Sequence, residues 1–318
     1  KLGLVHFPPI FFSFLRFAVL ILVLFPFLKI IPGRMRRLLL FAFTLGVLHY
    51  STILLAISWT GNTASLAIIN QIHVPFSVIL AVVILREQVG WKRWFGIGLA
   101  FSGVMVMGFD PEVLKYPDAL IMMIVTSFIL SCANVMARGL ADISPMTINA
   151  WVSLVALGPL LGLSAILEAG QVAALTGSGP WQWAAIAYTA LLVTLVGHGS
   201  FYYLLRHYGV AQVTPWFLLL PFFAVALGVA ILGDADPAYS GRRRHPSGGG
   251  RGHHLQIREK GRCPRAAESA IIRTYQRAFA PESSVTLPHL ILILSINVIW
   301  GMMYVAGKLG VDQFEPLF

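Results

Sequence analysis

The sequence is poor in charged residues and in cysteine. Only 11% of its 318 residues are charged, against about 25% in a soluble domain, and 57% are hydrophobic. Cys132 lies in an apolar run and Cys263 in a polar one, so the two cysteines offer neither a disulfide framework nor a metal cluster. These shortages exclude a soluble globule and a disulfide-rich domain. They predict an all-α polytopic membrane protein.

Catalytic and cofactor motifs are also lacking. Gly96 and Gly98 follow no predicted strand, so they do not form a phosphate or dinucleotide loop. The adjacent residues His253 and His254 alone do not supply the ligands of a metal site. We therefore expect no enzyme, no cofactor and no metal centre.

Two long apolar runs joined by a charged turn organise the chain. Ala64–Leu85 has 22 residues and Trp94–Phe109 has 16, and neither run carries a charge. At 1.5 Å per residue both can cross a hydrocarbon core of ~30 Å, the second only barely. The turn, Arg86–Arg93, holds three basic residues, which predicts a cytoplasmic loop.

Basic residues alternate along the predicted loops. The intervening loops contain Lys115 besides the terminal Lys1, whereas the loops assigned to the cytoplasm hold Lys29, Arg34, Arg36, Arg37, Arg86, Lys92, Arg93, Arg138 and Arg206. This distribution predicts the topology as far as Gly233. A membrane-impermeant thiol reagent should label a cysteine placed at 115 but not at 36 or 92.

The chain repeats a pattern in two segments of opposite orientation. Gly61, Pro75 and Glu87 are spaced almost as are Gly209, Pro221 and Asp234. The loop before Pro8 is predicted outside, whereas the equivalent loop before Pro145 is predicted inside. Inverted repeats are typical of secondary transporters, whose site lies near the membrane midplane.

Several polar residues lie within the apolar runs. Asn70, Gln71 and His73 precede Pro75, which is expected to kink the helix. Two interpretations stay open: these side chains line a substrate path, or they hydrogen-bond neighbouring helices. The other path candidates are His49, Tyr50, Asn134, His198, Tyr202 and Trp216.

Charges and further prolines complete the candidates. Arg16 is expected to snorkel to the interface or to pair within the bundle. Glu87 is expected to form an ion pair that fixes its helix hairpin, in preference to coupling protons. Pro215 and Pro221 predict a second bent helix. Before position 234 no carboxylate lies deep in an apolar run, so the histidines are the candidates for a titrating group.

Particular motifs resemble the EamA family of the drug/metabolite transporter superfamily. They are the Lys-Leu-Gly, Pro-Pro and Leu-Arg-Phe elements of Lys1–Phe17, and Pro75 with Arg86-Glu87, Gly96 and Gly103-Val104. Thr194–Ser200 and Leu204-Leu205 with Tyr208 are similar to exporters of cysteine and O-acetylserine. The resemblance implies ten helices in two inverted five-helix repeats, both ends cytoplasmic, and a central cavity.

The sequence departs from the family pattern at both ends. The family's first helix is expected to be absent before Lys1, and a segment like it occurs at Leu287–Val298 with Trp300-Gly301 and Lys308–Gly310. The tenth helix is also expected to be missing. We divide the chain into a first repeat (1–110), a second repeat (111–234), a basic, disordered or out-of-frame segment (235–280) and a first-helix-like span (281–318).

Three interpretations of the C-terminal region stay open: a reading-frame artefact followed by a neighbouring paralogue, a circular permutation, and an anion-binding tail. We favour the first. Residues 235–280 hold several arginines and no apolar run, so they are not expected to cross the membrane. We therefore expect the last helix either to insert in the opposite sense to a first helix or to leave Val210–Gly233 short of spanning.

The sequence thus predicts a multi-pass inner-membrane exporter of small, amino-acid-like metabolites, working by alternating access. Its expected partners are a small-molecule substrate and membrane lipid, with no nucleic acid, and with a homodimer as a candidate assembly. The alternatives are a defective transporter kept as a membrane scaffold, and a membrane-tethered anion binder acting through Arg242–Arg265.

Overall fold

The computed structural model describes residues 7–59, 63–108, 114–232 and 285–311. The N-terminal half has four helices: α1 Pro9–Leu24, α2 (Met35–Phe43, Thr44–His49, Tyr50–Ser58), α3 (Thr63–Ile69, Asn70–Ile72, His73–Leu85) and α4 Trp91–Gly108. The C-terminal half comprises α5 Pro117–Arg138, α6 Pro145–Leu167, the short α7 Gln171–Gly177, α8 (Pro180–Ala187, Tyr188–His198, Gly199–His207) and α9 (Val210–Val213, Thr214–Leu219, Leu220–Leu232). A last helix, α10, covers Leu287–Val311.

Proline marks the start of several of these helices. Pro9, Pro117, Pro145 and Pro180 all lie in a first turn. A first-turn proline has a fixed φ that suits the helix, and the N–H it lacks would have had no partner there. The loop prolines of the sequence therefore fix where α1, α5, α6 and α8 begin.

Most of the helices have membrane length. Six apolar helices of the described residues are long enough to span a bilayer: Pro9–Phe27, Met35–Ile57, Leu66–Leu85, Pro117–Arg138, Pro145–Leu167 and Gln182–His207. Val210–Ala224 and Leu287–Met302 are shorter apolar helices. The described ranges contain helices and loops and no strand. The predicted all-α polytopic membrane fold is confirmed.

The helices pack in a pattern that relates the two halves. In the N-terminal half, α2 and α3 pack against α5; in the C-terminal half, α8 and α9 pack against α10. The longest contact between the halves runs along α1 and α6, and α3 meets α9 near their middles. α5 and α10 thus hold equivalent positions, each beside the second and third spanning helices of one half.

Helix irregularities occur at equivalent places in both halves. α2 is π-helical from Thr44 to His49, and α8 is π-helical from Tyr188 to His198. α3 tightens to a 3-10 helix at Asn70–Ile72, and α9 does so at Thr214–Leu219. Such breaks leave backbone carbonyls without their usual partners and often mark functional segments. The repeat therefore extends beyond helix order to the positions of the breaks.

The loops predicted to be cytoplasmic lie at one end of the bundle. Arg34 forms an ion pair with Asp142 (3.2 Å), and its Nη1 atom donates to the Gly139 carbonyl. Arg138 donates to the carbonyls of Leu205 and Arg206. Three loops assigned to the same side of the membrane by charge alone are therefore in contact.

The expectation for the C-terminal helix is wrong. Thr286 donates its backbone N–H to the Tyr208 hydroxyl, which also hydrogen-bonds to Nδ1 of His289 (2.7 Å). Further along, Tyr188 donates its hydroxyl to the Ile299 carbonyl (2.8 Å). α10 therefore begins at the end where α8 finishes and runs antiparallel to it, which is the direction of a first helix.

This direction favours the permutation interpretation. Ile293 and Ile296 on α10 are buried, and Gly301 approaches the backbone of Phe223 and Ala224 on α9 so closely that an added methyl group would lie 3.2 Å from the Ala224 nitrogen. The helix is thus packed into the position equivalent to α5. The basic segment 235–280 lies outside the described residues.

Candidate functional site

The two broken helices meet through one buried side chain. Gln71, in the 3-10 segment of α3, donates from Nε2 to the carbonyl of Phe217 in the 3-10 segment of α9 (3.4 Å). Pro221 lies four residues after Phe217 and has no N–H, so it cannot satisfy that carbonyl. The proline frees an acceptor in one half, and a glutamine from the other half fills it.

Pro75 has the same relation to Gln71 that Pro221 has to Phe217. It lies four residues after Gln71 and removes the N–H that would pair with the Gln71 carbonyl. The residues that contact each other across the halves are thus the ones four positions before the two equivalent prolines. The predicted bends at Pro75, Pro215 and Pro221 coincide with the two 3-10 segments or follow them directly.

Asn70 and His73 face a different helix from Gln71. Ser127 on α5 donates to the Asn70 side-chain oxygen (3.0 Å), and Ser131 donates to the His73 carbonyl (2.9 Å). One turn further, Asn134 donates to the Ser77 hydroxyl (3.1 Å). We call these contacts between α3 and α5 the polar seam, formed by Asn70, His73, Ser77, Ser127, Ser131 and Asn134.

The polar seam divides the cluster predicted from the sequence. Nδ1 of His73 donates to the Asn70 carbonyl (2.8 Å), so the imidazole also has a partner. The contacts of Asn70, His73 and Asn134 hold two helices together, as interhelical hydrogen bonds do in membrane proteins. Gln71 alone of the predicted cluster contacts the opposite half.

Arg16 neither snorkels nor pairs with a carboxylate in the described residues. It lies at the middle of α1 with 7% of its surface exposed. Its guanidinium carbon is 4.4 Å from the ring centroid of Tyr50 and 4.7 Å from that of Phe17. The Nε and Nη2 atoms are buried and have no hydrogen-bond partner. Both alternatives drawn from the sequence for this residue are therefore wrong.

Candidate residues of both halves surround Arg16. The His49 ring lies 5.2 Å from the Tyr50 ring, and the His198 ring lies 6.3 Å from the Tyr202 ring. The charge of Arg16 interacts electrostatically with both histidines. We call Arg16, His49, Tyr50, His198 and Tyr202 the Arg16 cluster. Nδ1 of His49 and the hydroxyl of Tyr202 are also buried and have no partner among the described residues.

The π-helical segment of α8 positions His198. A carbonyl five residues earlier, that of Val193, accepts from Nδ1 of His198 and also from Nε1 of Trp300 on α10 (both 3.2 Å). Trp300 fits there because position 197 is glycine: a Cβ would lie 2.3 Å from the indole nitrogen. The irregular turn thus supplies the acceptor that binds α10 beside the Arg16 cluster.

Glu87 caps a helix and does not form the predicted ion pair. Its two carboxylate oxygens accept the backbone N–H groups of Val210 and Ala211, at 2.9 and 2.8 Å, in the first turn of α9. No contact with Arg86, Lys92 or Arg93 forms an ion pair within the described ranges. Gly209 makes room for the carboxylate, since a Cβ there would lie 2.6 Å from it. A helix N-terminus favours such a negative charge.

Glu168 forms a second cap at the opposite end of the bundle. It follows α6 and accepts the N–H groups of Ile10 and Phe11 in the first turn of α1, at 2.7 and 2.9 Å. Ser164 donates to the same carboxylate (2.7 Å). Each glutamate therefore joins the end of a helix in one half to the start of a helix in the other. The sequence contains no signal for this beyond an acidic residue after each apolar run.

The remaining candidates lie at the rim of these contacts. Trp216 is half-buried against the core within the 3-10 segment of α9. A groove of about 320 Å³ lies elsewhere, at the end of the bundle, and its lining residues are Trp59, Lys115, Tyr116, Pro117, Asp118 and Ala119. None of the candidate site residues lines this groove. Asn149, Asn297 and Trp300 lie buried or half-buried with polar atoms, and sequence reasoning did not single them out as site residues.

Comparisons with known proteins agree with this architecture. The chain matches the EamA-like transporter family over residues 1–109 and 118–235. Two relatives, each named a probable amino-acid metabolite efflux pump, come from Salmonella typhimurium strain LT2 and Escherichia coli strain K12. Both are 27% identical to this chain over 74% of its length and 81% of theirs.

The predicted multi-pass location in the inner membrane is confirmed by this match together with the membrane-length helices. The match also supports a membrane exporter and not an enzyme. Since the matched segments include both halves of the helical bundle, the chain belongs to the EamA-like transporter family.

Proposed function

We propose that the protein exports small, amino-acid-like solutes by alternating access between its two halves. The observation that carries the proposal is the contact between the two broken helices, where Gln71 of α3 donates to the Phe217 carbonyl of α9. Transporters built from inverted repeats place discontinuous helices at the midplane, and the repeats rock around that point. The names of the two relatives support the solute class.

The glutamate caps give the rocking motion two ends to close. Glu87 holds the start of α9 at the end with the basic loops, and Glu168 holds the start of α1 at the other end. Both caps join one half to the other and both are formed in this structure. Alternating access then consists of releasing one cap while the other stays closed.

Substitution of Gln71 tests the proposal. Gln71→Leu removes the donor to Phe217 and should slow export about tenfold, because one hydrogen bond of about 1.4 kcal/mol corresponds to that factor. The assay is efflux of labelled cysteine and O-acetylserine from proteoliposomes containing the full chain. Gln88→Leu, in the exposed turn after α3, is the matched control and should export at the normal rate.

Two results would overturn the proposal. One is a wild-type protein that inserts and folds but moves neither these solutes nor any of the other natural amino acids, which would favour the membrane scaffold. The other is normal export by Gln71→Leu, which would leave the contact between the broken helices without a role in transport.

A further inference from the structure

We propose that Arg16 binds a carboxylate group of the exported solute through its Nε and Nη2 atoms. The inference rests on the proposed export function and adds the chemical class that the site recognises. It assigns a ligand-binding role to a residue that the sequence indicated only as a structural charge.

Arg16 is a buried cation without a protein counter-ion in the described residues. The carboxylates of these residues belong to Glu87, Asp118, Asp142 and Glu168, and each lies at or beside a helix end. Arg16 lies midway along α1, about two turns from the Glu168 cap. A charged side chain at membrane depth is costly and usually marks a substrate or ion pathway. The stacking on Tyr50 and Phe17 offsets only part of that cost.

The two unpaired nitrogens are the pair that recognises a carboxylate side-on. Nε–H and one Nη2–H of a guanidinium are parallel, and their spacing matches the two oxygens of a carboxylate. These are the atoms of Arg16 that are buried without a partner. A rigid fork of this kind distinguishes a carboxylate from its ester or amide, which cannot accept two such bonds with a full negative charge.

Further unpaired groups converge on the same region from other helices. His49 on α2 has an unpartnered Nδ1, and Tyr202 on α8 has an unpartnered hydroxyl; both side chains are more than nine-tenths buried. Tyr50 interacts with both Arg16 and Tyr202. An anionic ligand bound at Arg16 would therefore lie between the N-terminal and C-terminal halves, where a transported solute must bind.

The conformation described here closes this region. The unpaired nitrogens of Arg16 are shielded from solvent, and both glutamate caps are formed. A solute can reach the guanidinium only when the halves separate at one end. The geometry thus assigns the structure to an occluded state in which the binding groups face one another.

The test compares carboxylates with their esters in the full-length protein. Wild type in proteoliposomes should transport cysteine and O-acetylserine at least about tenfold faster than the corresponding methyl esters, as loss of a bidentate charge-assisted contact implies. Arg16→Met should lose that preference, moving acid and ester at similar rates. Arg16→Lys keeps the charge without the fork and should restore only part of the preference.

Controls separate recognition from folding. Arg36→Met alters an exposed arginine in the loop before α2 and should keep the full preference for the acid. Each variant must elute from size exclusion as wild type does. If Arg16→Met does not fold, the decision rests on Arg16→Lys, which must show a smaller preference for the acid than wild type.

A binding measurement makes failure of this inference distinct from failure of the export function. Thermal stabilisation of the detergent-solubilised protein by each acid, and not by its ester, should be present in wild type and absent in Arg16→Met, whether or not efflux is seen. Equal stabilisation of both proteins would overturn the carboxylate site. Inorganic phosphate stabilising wild type as strongly as the acids would overturn the assignment to a carboxylate.

Discussion

The polar seam and the Arg16 cluster both place polar side chains at membrane depth, yet they differ in how their atoms are paired. In the seam, the hydroxyls of Ser127 and Ser131 and the amide of Asn134 all have partners on α3. In the cluster, Arg16, His49 and Tyr202 each retain buried polar atoms without a partner. Burying an unpaired polar group costs free energy, so folding alone does not explain the second set.

The comparison teaches how to separate structural from functional polar residues in a membrane bundle. Paired groups between helices stabilise the fold and need no other role. Unpaired groups lower stability and are retained for another reason, usually a ligand or a moving part. Substitutions should therefore reduce stability at paired positions, and should reduce export without reducing stability at unpaired positions.

The largest loss of stability is expected at the Glu87 cap, where the paired group is charged. Glu87→Ala removes the acceptor of two backbone N–H groups in α9 and should lower the free energy of unfolding by about 2 to 3 kcal/mol, since hydrogen bonds to charged groups are the stronger ones. SDS titration of the protein in mixed micelles measures the change.

Two further variants sharpen this prediction. Gln88→Ala alters the next residue, which is exposed, and should change the unfolding free energy by less than about 0.5 kcal/mol. Gly209→Ala places a methyl group where the Glu87 carboxylate lies and should weaken the cap in the same direction as Glu87→Ala. A loss at Glu87→Ala no larger than at Gln88→Ala would mean that the cap does not stabilise the bundle.

A smaller loss is expected in the polar seam. Asn134→Leu removes the donor to Ser77 and should lower the unfolding free energy by about 0.6 to 1.7 kcal/mol, the range of interhelical hydrogen bonds in membrane proteins. Export per folded molecule should stay unchanged. The same titration on Asn134→Leu, Ser77→Ala and the double variant gives the coupling energy, and additive effects would show that the contact contributes nothing.

The general fold followed from the sequence because its signals are local and strong. Apolar runs, first-turn prolines and alternating basic loops each depend on a few neighbouring residues, and the helices and loop contacts agree with them. The spacing of Pro75 and Pro221 also indicated the pair of broken helices. These features arise from backbone chemistry that any membrane helix must obey.

The partners of individual side chains did not follow from the sequence. Glu87 was expected to pair with neighbouring bases, but the start of α9 offers two unsatisfied N–H groups that are distant in sequence. The direction of α10 was mispredicted because the argument relied on its connection through 235–280, whereas its contacts with Tyr208, Tyr188 and Val193 depend on packing. Such long-range contacts leave no local pattern in the chain.

The smallest effect on stability, and the sharpest test of the comparison, is expected from Tyr202→Phe. The ring packs against Phe41 and His198, and phenylalanine keeps those contacts while removing only the unpaired hydroxyl. Removing an unsatisfied buried group is neutral or stabilising, so the unfolding free energy should stay equal or rise by up to about 1 kcal/mol. Export of the acid should nevertheless fall several-fold, because the hydroxyl lies beside Arg16 in the proposed site. Tyr203→Phe changes the neighbouring, exposed tyrosine and should alter neither quantity. SDS titration and proteoliposome efflux on the same samples decide the matter: a destabilised Tyr202→Phe that exports normally would place the Arg16 cluster with the polar seam, as packing alone.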